Sequence, residues 1–162
     1  MTRAPFHVFV VEDHPATARG LKIFLELAGY TVTVAHDIRS ALHIAERSPF
    51  DVMVCDLHLP DGTGWDLMEK LRKKIPVRGI AFSAFDEPEH LERSKAVGFD
   101  EHVIKGTTPE TLLAAIDRIA RLQSPVAQPA APVARRVAAL DGAMQRAASK
   151  TKARTSKAKL PN

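Results

Sequence analysis

Short apolar runs alternate with segments of helical periodicity five times between residues 6 and 122, at intervals of roughly 20–25 residues, the length of compact strand–helix units. The runs at 6–11, 30–35, 52–55 and 77–82 are dominated by Val, Phe, Thr and other strand formers, and a shorter, mixed run covers 101–104. The intervening segments place apolar residues on one helical face. These are Leu21, Phe24, Leu25 and Ala28, then Ile38, Ala41, Leu42 and Ala45, then Leu67, Met68 and Leu71, and finally Leu112, Leu113, Ile116 and Ile119. Pro15 opens the first of these helices and Gly29 closes it; Asp37 is an N-cap for a helix through Arg47; Thr108-Pro109 opens the last. The helix expected over 88–97 is heavily charged, with Leu91 and Val97 as its clearest apolar members, and is expected to be the least firmly packed. A parallel pair needs a crossover of a dozen or more residues, so strands joined through helices lie parallel, with helices covering both faces. The expectation is an α/β, doubly wound, five-stranded parallel sheet over residues 1–123.

Composition narrows the class. A hydrophobic share of 45% is that of an ordinary globular chain with a real core. No apolar run approaches the ~18 residues needed to cross a bilayer, and the run at 6–11 is too short for the core of a signal peptide, so no membrane association is expected. Cys55 is the single cysteine and lies in a predicted core strand, which excludes an internal disulfide and favours a reducing, cytoplasmic setting.

The strand ends carry the chemistry. Parallel strands share a carboxyl end, and ligands bind beyond that edge. The first run stops at Glu12 and Asp13, the third at Asp56, before a Pro60-Asp61-Gly62 turn, the fourth at Ser83, and the fifth at Lys105. Three clustered carboxylates repel one another unless a cation compensates. An oxygen-lined pocket without a thiolate suits a hard divalent ion, Mg²⁺ foremost. A lysine and a hydroxyl in the same pocket suit the non-bridging oxygens of a phosphoryl group. Singly, each residue has a plainer use: Glu12, Asp13 and Asp56 as caps or turn residues, Ser83 bonded to its own backbone, Lys105 solvated. Their coincidence at four strand ends is what points to phosphoryl chemistry.

Val10-Val11-Glu12-Asp13-His14-Pro15, Asp56-Leu57-His58-Leu59-Pro60-Asp61-Gly62, Ser83-Ala84 and Lys105-Gly106 together resemble the receiver domain of bacterial two-component response regulators, over roughly residues 5–122. The resemblance implies a flavodoxin-like fold, strand order 2-1-3-4-5 with five flanking helices. It implies that Asp56 accepts a phosphoryl group from a sensor histidine kinase or phosphotransfer protein. Glu12, Asp13, Asp56 and the His58 backbone carbonyl would hold Mg²⁺. Lys105 would pair with the phosphoryl group, and Ser83 would bond it and drive a switch. The output surface would be the helix at 88–97, the strand at 101–104 and the helix at 109–122. Such a protein signals; its catalysis is limited to its own phosphorylation and dephosphorylation. An aspartyl-nucleophile phosphatase is the weaker reading, because that chemistry commonly has an acidic residue two positions after the nucleophile, where His58 stands.

Three positions depart from the family pattern. His102 replaces the aromatic switch residue, usually Tyr or Phe, and would make switching pH-sensitive; its plain alternative is a surface histidine. Gly106 follows the lysine where a proline is usual, which predicts a more mobile loop and a less well placed Lys105. His58 occupies a position that influences phosphate lifetime in the family.

Beyond residue 123 the composition changes. Residues 124–162 carry eight Lys/Arg against Asp141 alone, net +7, whereas residues 1–123 carry fifteen Lys/Arg against eighteen Asp/Glu, net −3. Residues 124–132, with Pro125, Pro129 and Pro132, read as an extended linker. Residues 133–162 form a basic Ala/Lys/Arg-rich tail, disordered or partly helical, in which Val133, Val137, Leu140 and Met144 fall at helical spacing. It is too short for a folded output domain. A solvated extension, a nucleic-acid-binding arm, and a segment docking on a partner helix or an acidic surface, including the acidic domain of the same chain, all fit. The expectation for the whole chain is a single-domain regulator acting through phosphorylation-controlled protein binding, with a nucleic-acid-associated regulator as the alternative.

Overall fold

Alternating side chains decide how the apolar runs are used. In β1 (His7–Val11), Val8 and Val10 enter the core on one side of the sheet, while Phe9 and Val11 enter the core on the other. Val52 and Val54 do the same against Met53 and Cys55 in β3 (Val52–Cys55), whose four residues are all buried. With β2 (Thr31–Ala35), β4 (Gly79–Ser83) and β5 (Glu101–Ile104), they form a five-stranded parallel sheet in the order β2-β1-β3-β4-β5. This computed structural model describes residues 5–123 and Ala138. The linker expected at 124–132 and, Ala138 apart, the tail expected at 133–162 lie outside the described residues.

Helices α1 (Pro15–Leu27) and α5 (Pro109–Gln123) cover one face, contributing Leu25, Leu112, Leu113, Ile116 and Ile119 to its core. Helices α2 (Ile38–Ala45) and α3 (Gly64–Arg72) cover the other, through Ile38, Ala41, Trp65, Leu67, Met68 and Leu71. Helix α4 (Pro88–Val97) packs beside α3 and β5. The expected doubly wound fold is the one observed. No helix among the described residues is long and apolar enough to cross a membrane.

Some boundaries differ from the sequence expectation. The fourth strand begins at Gly79, not residue 77: Pro76 offers no N–H to a ladder, and Asp100 holds the Gly79 amide at 2.8 Å and the Arg78 guanidinium at 2.7 Å, setting where pairing starts. Helix α2 ends at Ala45 rather than Arg47, with the Arg47 amide turned back onto the Ile44 carbonyl at 3.0 Å. In α4 the one buried residue is Ser94, while Leu91 stays 41% exposed, so this helix is indeed lightly anchored in apolar terms. The Pro60-Asp61-Gly62 turn caps a short antiparallel hairpin, His58–Leu59 with Gly62–Thr63.

That hairpin also starts two helices. Asp61 reaches over α2, where its carboxylate accepts from the amides of Ile38 at 2.8 Å and Arg39 at 3.0 Å, while Asp37 accepts from Ser40 at 2.6 Å. Three of the unpaired N–H groups at that helix start are thereby satisfied. Thr63 and Asp66 form a reciprocal capping box for α3. Gly64 is required here, because a Cβ would lie 2.3 Å from the Asp56 carbonyl oxygen. Only glycine lets α3 begin this close to the end of β3.

Candidate functional site

The parallel register brings the ends of β1, β3, β4 and β5 to one edge, and the side chains beyond them meet there. Carboxylate oxygens of Glu12, Asp13 and Asp56 lie within 4.8 Å of one another. Glu12 and Asp56 are buried and Asp13 is exposed. Lys105, from the far end of β5, spans the pair: its Nζ donates to Asp56 Oδ2 at 2.6 Å and to Glu12 Oε2 at 2.7 Å. The expected loosening of Lys105 by Gly106 is therefore not observed. Gly106 sits at φ 89°, a conformation closed to proline, so this loop follows its own path while still delivering the ammonium.

The electrostatics follow from that arrangement. Burial pushes the Glu12 carboxyl above its ordinary value, and Lys105 offsets this only in part. Burial opposes the charge on Lys105, but its hydrogen bonds and attraction to Asp56 and Glu12 outweigh that effect and hold its pKa above the usual ammonium value. Neighbouring Cys55 is wholly buried and its thiol is pushed far up by desolvation, which leaves it inert. The donor set is made only of oxygens, one member is solvent-facing, and one ammonium, paired with Glu12 and Asp56, leaves three carboxylates under-compensated. A hard divalent cation fits such a site.

Asp56 is held from both sides. Its amide donates to the Val11 carbonyl at 2.8 Å, and its Oδ1 accepts from the His58 amide at 3.0 Å. Each carboxylate oxygen has one hydrogen-bond partner and retains lone pairs. Glu12 is further fixed by His14, whose amide donates to Oε1 at 3.2 Å, and its carbonyl lies 2.8 Å from His36 Nδ1.

Ser83 ends β4 fully buried, its Oγ accepting from the Phe85 amide at 3.2 Å, and its carbonyl accepts from the Lys105 amide at 2.7 Å. It thus couples the two strands, and in this conformation its hydroxyl is engaged by its own loop. His102 is half-buried on β5 and points toward α4, its Nδ1 3.2 Å from Ser94 Oγ. Ser94 also accepts from Trp65 Nε1 at 2.9 Å, so one buried hydroxyl joins α3, α4 and β5. Burial lowers the His102 pKa.

Two features of this region were not read from the sequence. Ser94, a serine in a charged helix, gave no apolar signal. The rings of His58 and Phe85 lie 4.8 Å apart, and Phe85 meets His90 at 5.1 Å, so an aromatic row links the loop after Asp56 to the loop after β4.

Comparison with known proteins agrees with this geometry. The family model for the response regulator receiver domain matches residues 8–117. The chain is 33% identical over 115 residues to the nitrate/nitrite response regulator protein NarP of Escherichia coli, covering 69% of this chain and 54% of that protein. It is 32% identical over 126 residues to the transcriptional regulatory protein KdpE of Mycobacterium tuberculosis, covering 78% and 56% respectively. The chain thus spans about half the length of these curated relatives. Among solved structures, the receiver domain of Francisella response regulator 1452 superposes with a TM-score of 0.70 at 28% identity, covering 75% of this chain and all of that one. Chemotaxis response regulator CheY4 of Vibrio cholerae gives 0.63 at 30% identity, covering 72% and 99%.

Proposed function

The chain belongs to the response regulator receiver-domain family, and from that premise we propose that Asp56 is its phosphoacceptor, taking a phosphoryl group from a phosphohistidine of a sensor kinase or phosphotransfer protein. The observation that carries this is the Lys105 bridge between two buried carboxylates, beside an exposed third. In the transfer, an Asp56 carboxylate oxygen forms the new O–P bond while the P–N bond to the donor histidine breaks, and the released imidazole nitrogen takes up a proton. Little covalent chemistry is asked of the protein, so positioning and charge stabilisation dominate. The His58 amide and Lys105 hold the nucleophile oriented, and Lys105 remains to pair with the transferred group.

Mg²⁺ is the cofactor this donor set suits; Glu12, Asp13, Asp56 and the His58 carbonyl would hold it, and it supplies charge neutralisation for the phosphoryl oxygens. The added group brings about −2 charge and three acceptor oxygens. Ser83 Oγ accepts from the Phe85 amide and keeps its own O–H to donate to one of those oxygens. Its departure from the Phe85 amide would shift the β4–α4 loop and, with it, α4, which buries a single serine. His102 and Ser94 lie along that route. The output face comprises α4, β5 and α5, and the action is phosphorylation-controlled protein binding in the cytoplasm.

The test is transfer of radiolabel from phosphorylated histidine-kinase domains to the full chain. Label should move to the wild type and not to Asp56→Ala; equal labelling of both would overturn the assignment. A second reading, action at nucleic acid, is favoured by the name of the KdpE relative and by the net +7 of residues 124–162. It predicts DNA binding that falls steeply with salt, and no binding at low salt would remove it.

A further inference from the structure

A cleft of about 470 Å³ opens between α1 and the start of α5, and it borders the strand-end site through Phe82, whose ring centroid lies 5.6 Å from Lys105 Nζ. Leu21, Ile23, Phe24 and Leu27 of α1 line it with Phe82 and Leu112, and its polar groups are few. Ile23 is 51% and Leu27 50% exposed, which makes them two of the four large hydrophobic residues left open among the described residues. A third, Leu122, is 69% exposed on the last turn of α5, next to where the chain continues. Ile23 and Leu27, gathered in the cleft, mark an interaction surface.

The chain supplies an occupant. We propose that residues 133–146 dock as an amphipathic helix in the α1/α5 cleft of their own chain. Val133, Val137, Leu140 and Met144 stand at i, i+4, i+7 and i+11, the anchor pattern of a helix laid in a groove, with Arg135, Arg136 and Arg146 off the stripe. A segment of this length is marginal as a free helix, so its stripe needs a surface. The reach is sufficient. Helix α5 has 15 residues, about 22 Å at 1.5 Å per residue. The proline-bearing linker 124–132 extends to about 28 Å at ~3.1 Å per residue, enough to run back along the whole of α5. Net charge favours the encounter, +7 on residues 124–162 against −3 on residues 1–123. A short tether raises the local concentration to the order of 1 mM, so a weak contact suffices for occupancy. The cleft rim at Thr107 and Thr108 lies two to three residues past Lys105, so the docked helix would sit beside the loop that carries the phosphoryl-pairing lysine.

The test is backbone amide NMR on the full chain, comparing the wild type with the double variant Val137→Glu/Leu140→Glu and, separately, with Ile23→Glu. The tail variant should move the amide signals of residues 20–27 and 107–112 and remove slowed hydrogen exchange from residues 133–146. Ile23→Glu, made at an exposed site, should produce the same loss in the tail. Both effects should be independent of protein concentration. Unmoved cleft signals in the tail variant would overturn the proposal. Concentration-dependent shifts would overturn it in favour of a second copy, and tail protection seen only with added DNA would overturn it in favour of nucleic acid. The readout needs no phosphorylation, so its failure leaves the receiver assignment standing.

Discussion

Replacing Lys105 with methionine isolates the electrostatic logic of the site. The ammonium lies 2.6 Å from Asp56 and 2.7 Å from Glu12, whose side chains are 10% and 1% exposed, while Lys105 itself is 24% exposed. Its removal leaves two buried carboxylates facing each other, with ligand oxygens no more than 4.8 Å apart. At that distance, unit charges repel by about 3–4 kcal/mol at an effective dielectric of 20. Breaking one side of a buried pair typically costs about 3–5 kcal/mol. Partial exposure of Lys105 admits water, so the expected loss is about 2–3 kcal/mol at neutral pH, within the roughly 5–15 kcal/mol of a stable domain. Burial already raises the Glu12 carboxyl, and without Lys105 the partial offset to that shift is gone, so the folded state holds more protons there than the unfolded chain. The penalty therefore grows as pH rises through the Glu12 range and fades in acid. Urea unfolding of wild type and Lys105→Met in a chelator, at neutral pH and near pH 4.5, measures this. A penalty below about 0.5 kcal/mol, or one equal at both pH values, would mean that Lys105 does not hold the two carboxylates together.

Three further outcomes follow from neighbouring contacts. Asp13→Asn removes an exposed like charge from the cluster and should stabilise the chelated protein by up to about 1 kcal/mol; thermal unfolding should also show that added Mg²⁺ no longer raises Tm as it does in the wild type. Asp61→Ala removes the acceptor for two α2 amides and should cost about 1 kcal/mol in urea unfolding, with phosphorylation of Asp56 retained. His102 is held below the ordinary imidazole value of 6.5 by burial, so its neutral form contributes stability that is lost as pH falls below that value. Wild type should therefore lose stability relative to His102→Phe on acidification from pH 7, at no more than about 1.4 kcal/mol per pH unit, and parallel stability curves would contradict this.

Five strand–helix units and the shared edge of their carboxyl ends were legible because periodicity and topology are local properties that propagate: once β1, β3, β4 and β5 are parallel, Glu12, Asp13, Asp56 and Lys105 are brought together at the strand ends. Side-chain contacts made across the fold were not. Asp61 reads as a turn residue in Pro60-Asp61-Gly62, yet it caps a helix more than twenty residues earlier in the chain. Ser94 carries no apolar signal in a charged helix, yet it is the buried hub between Trp65 and His102. Both depend on where another element packs, which no local pattern encodes. Gly106 misled for a related reason. Glycine by itself predicts a looser loop, whereas at φ 89° it adopts a turn and Lys105 is held by two carboxylates.

The measurement that bears most directly on the account is intact mass after incubation with Mg²⁺ and a small phosphodonor, followed by peptide mapping, for the wild type and Asp56→Ala. One added phosphoryl group is expected on the wild type, mapped to Asp56, absent when the metal is chelated and absent in the variant. A phosphoryl group elsewhere on the chain, or equal modification of Asp56→Ala, would contradict it.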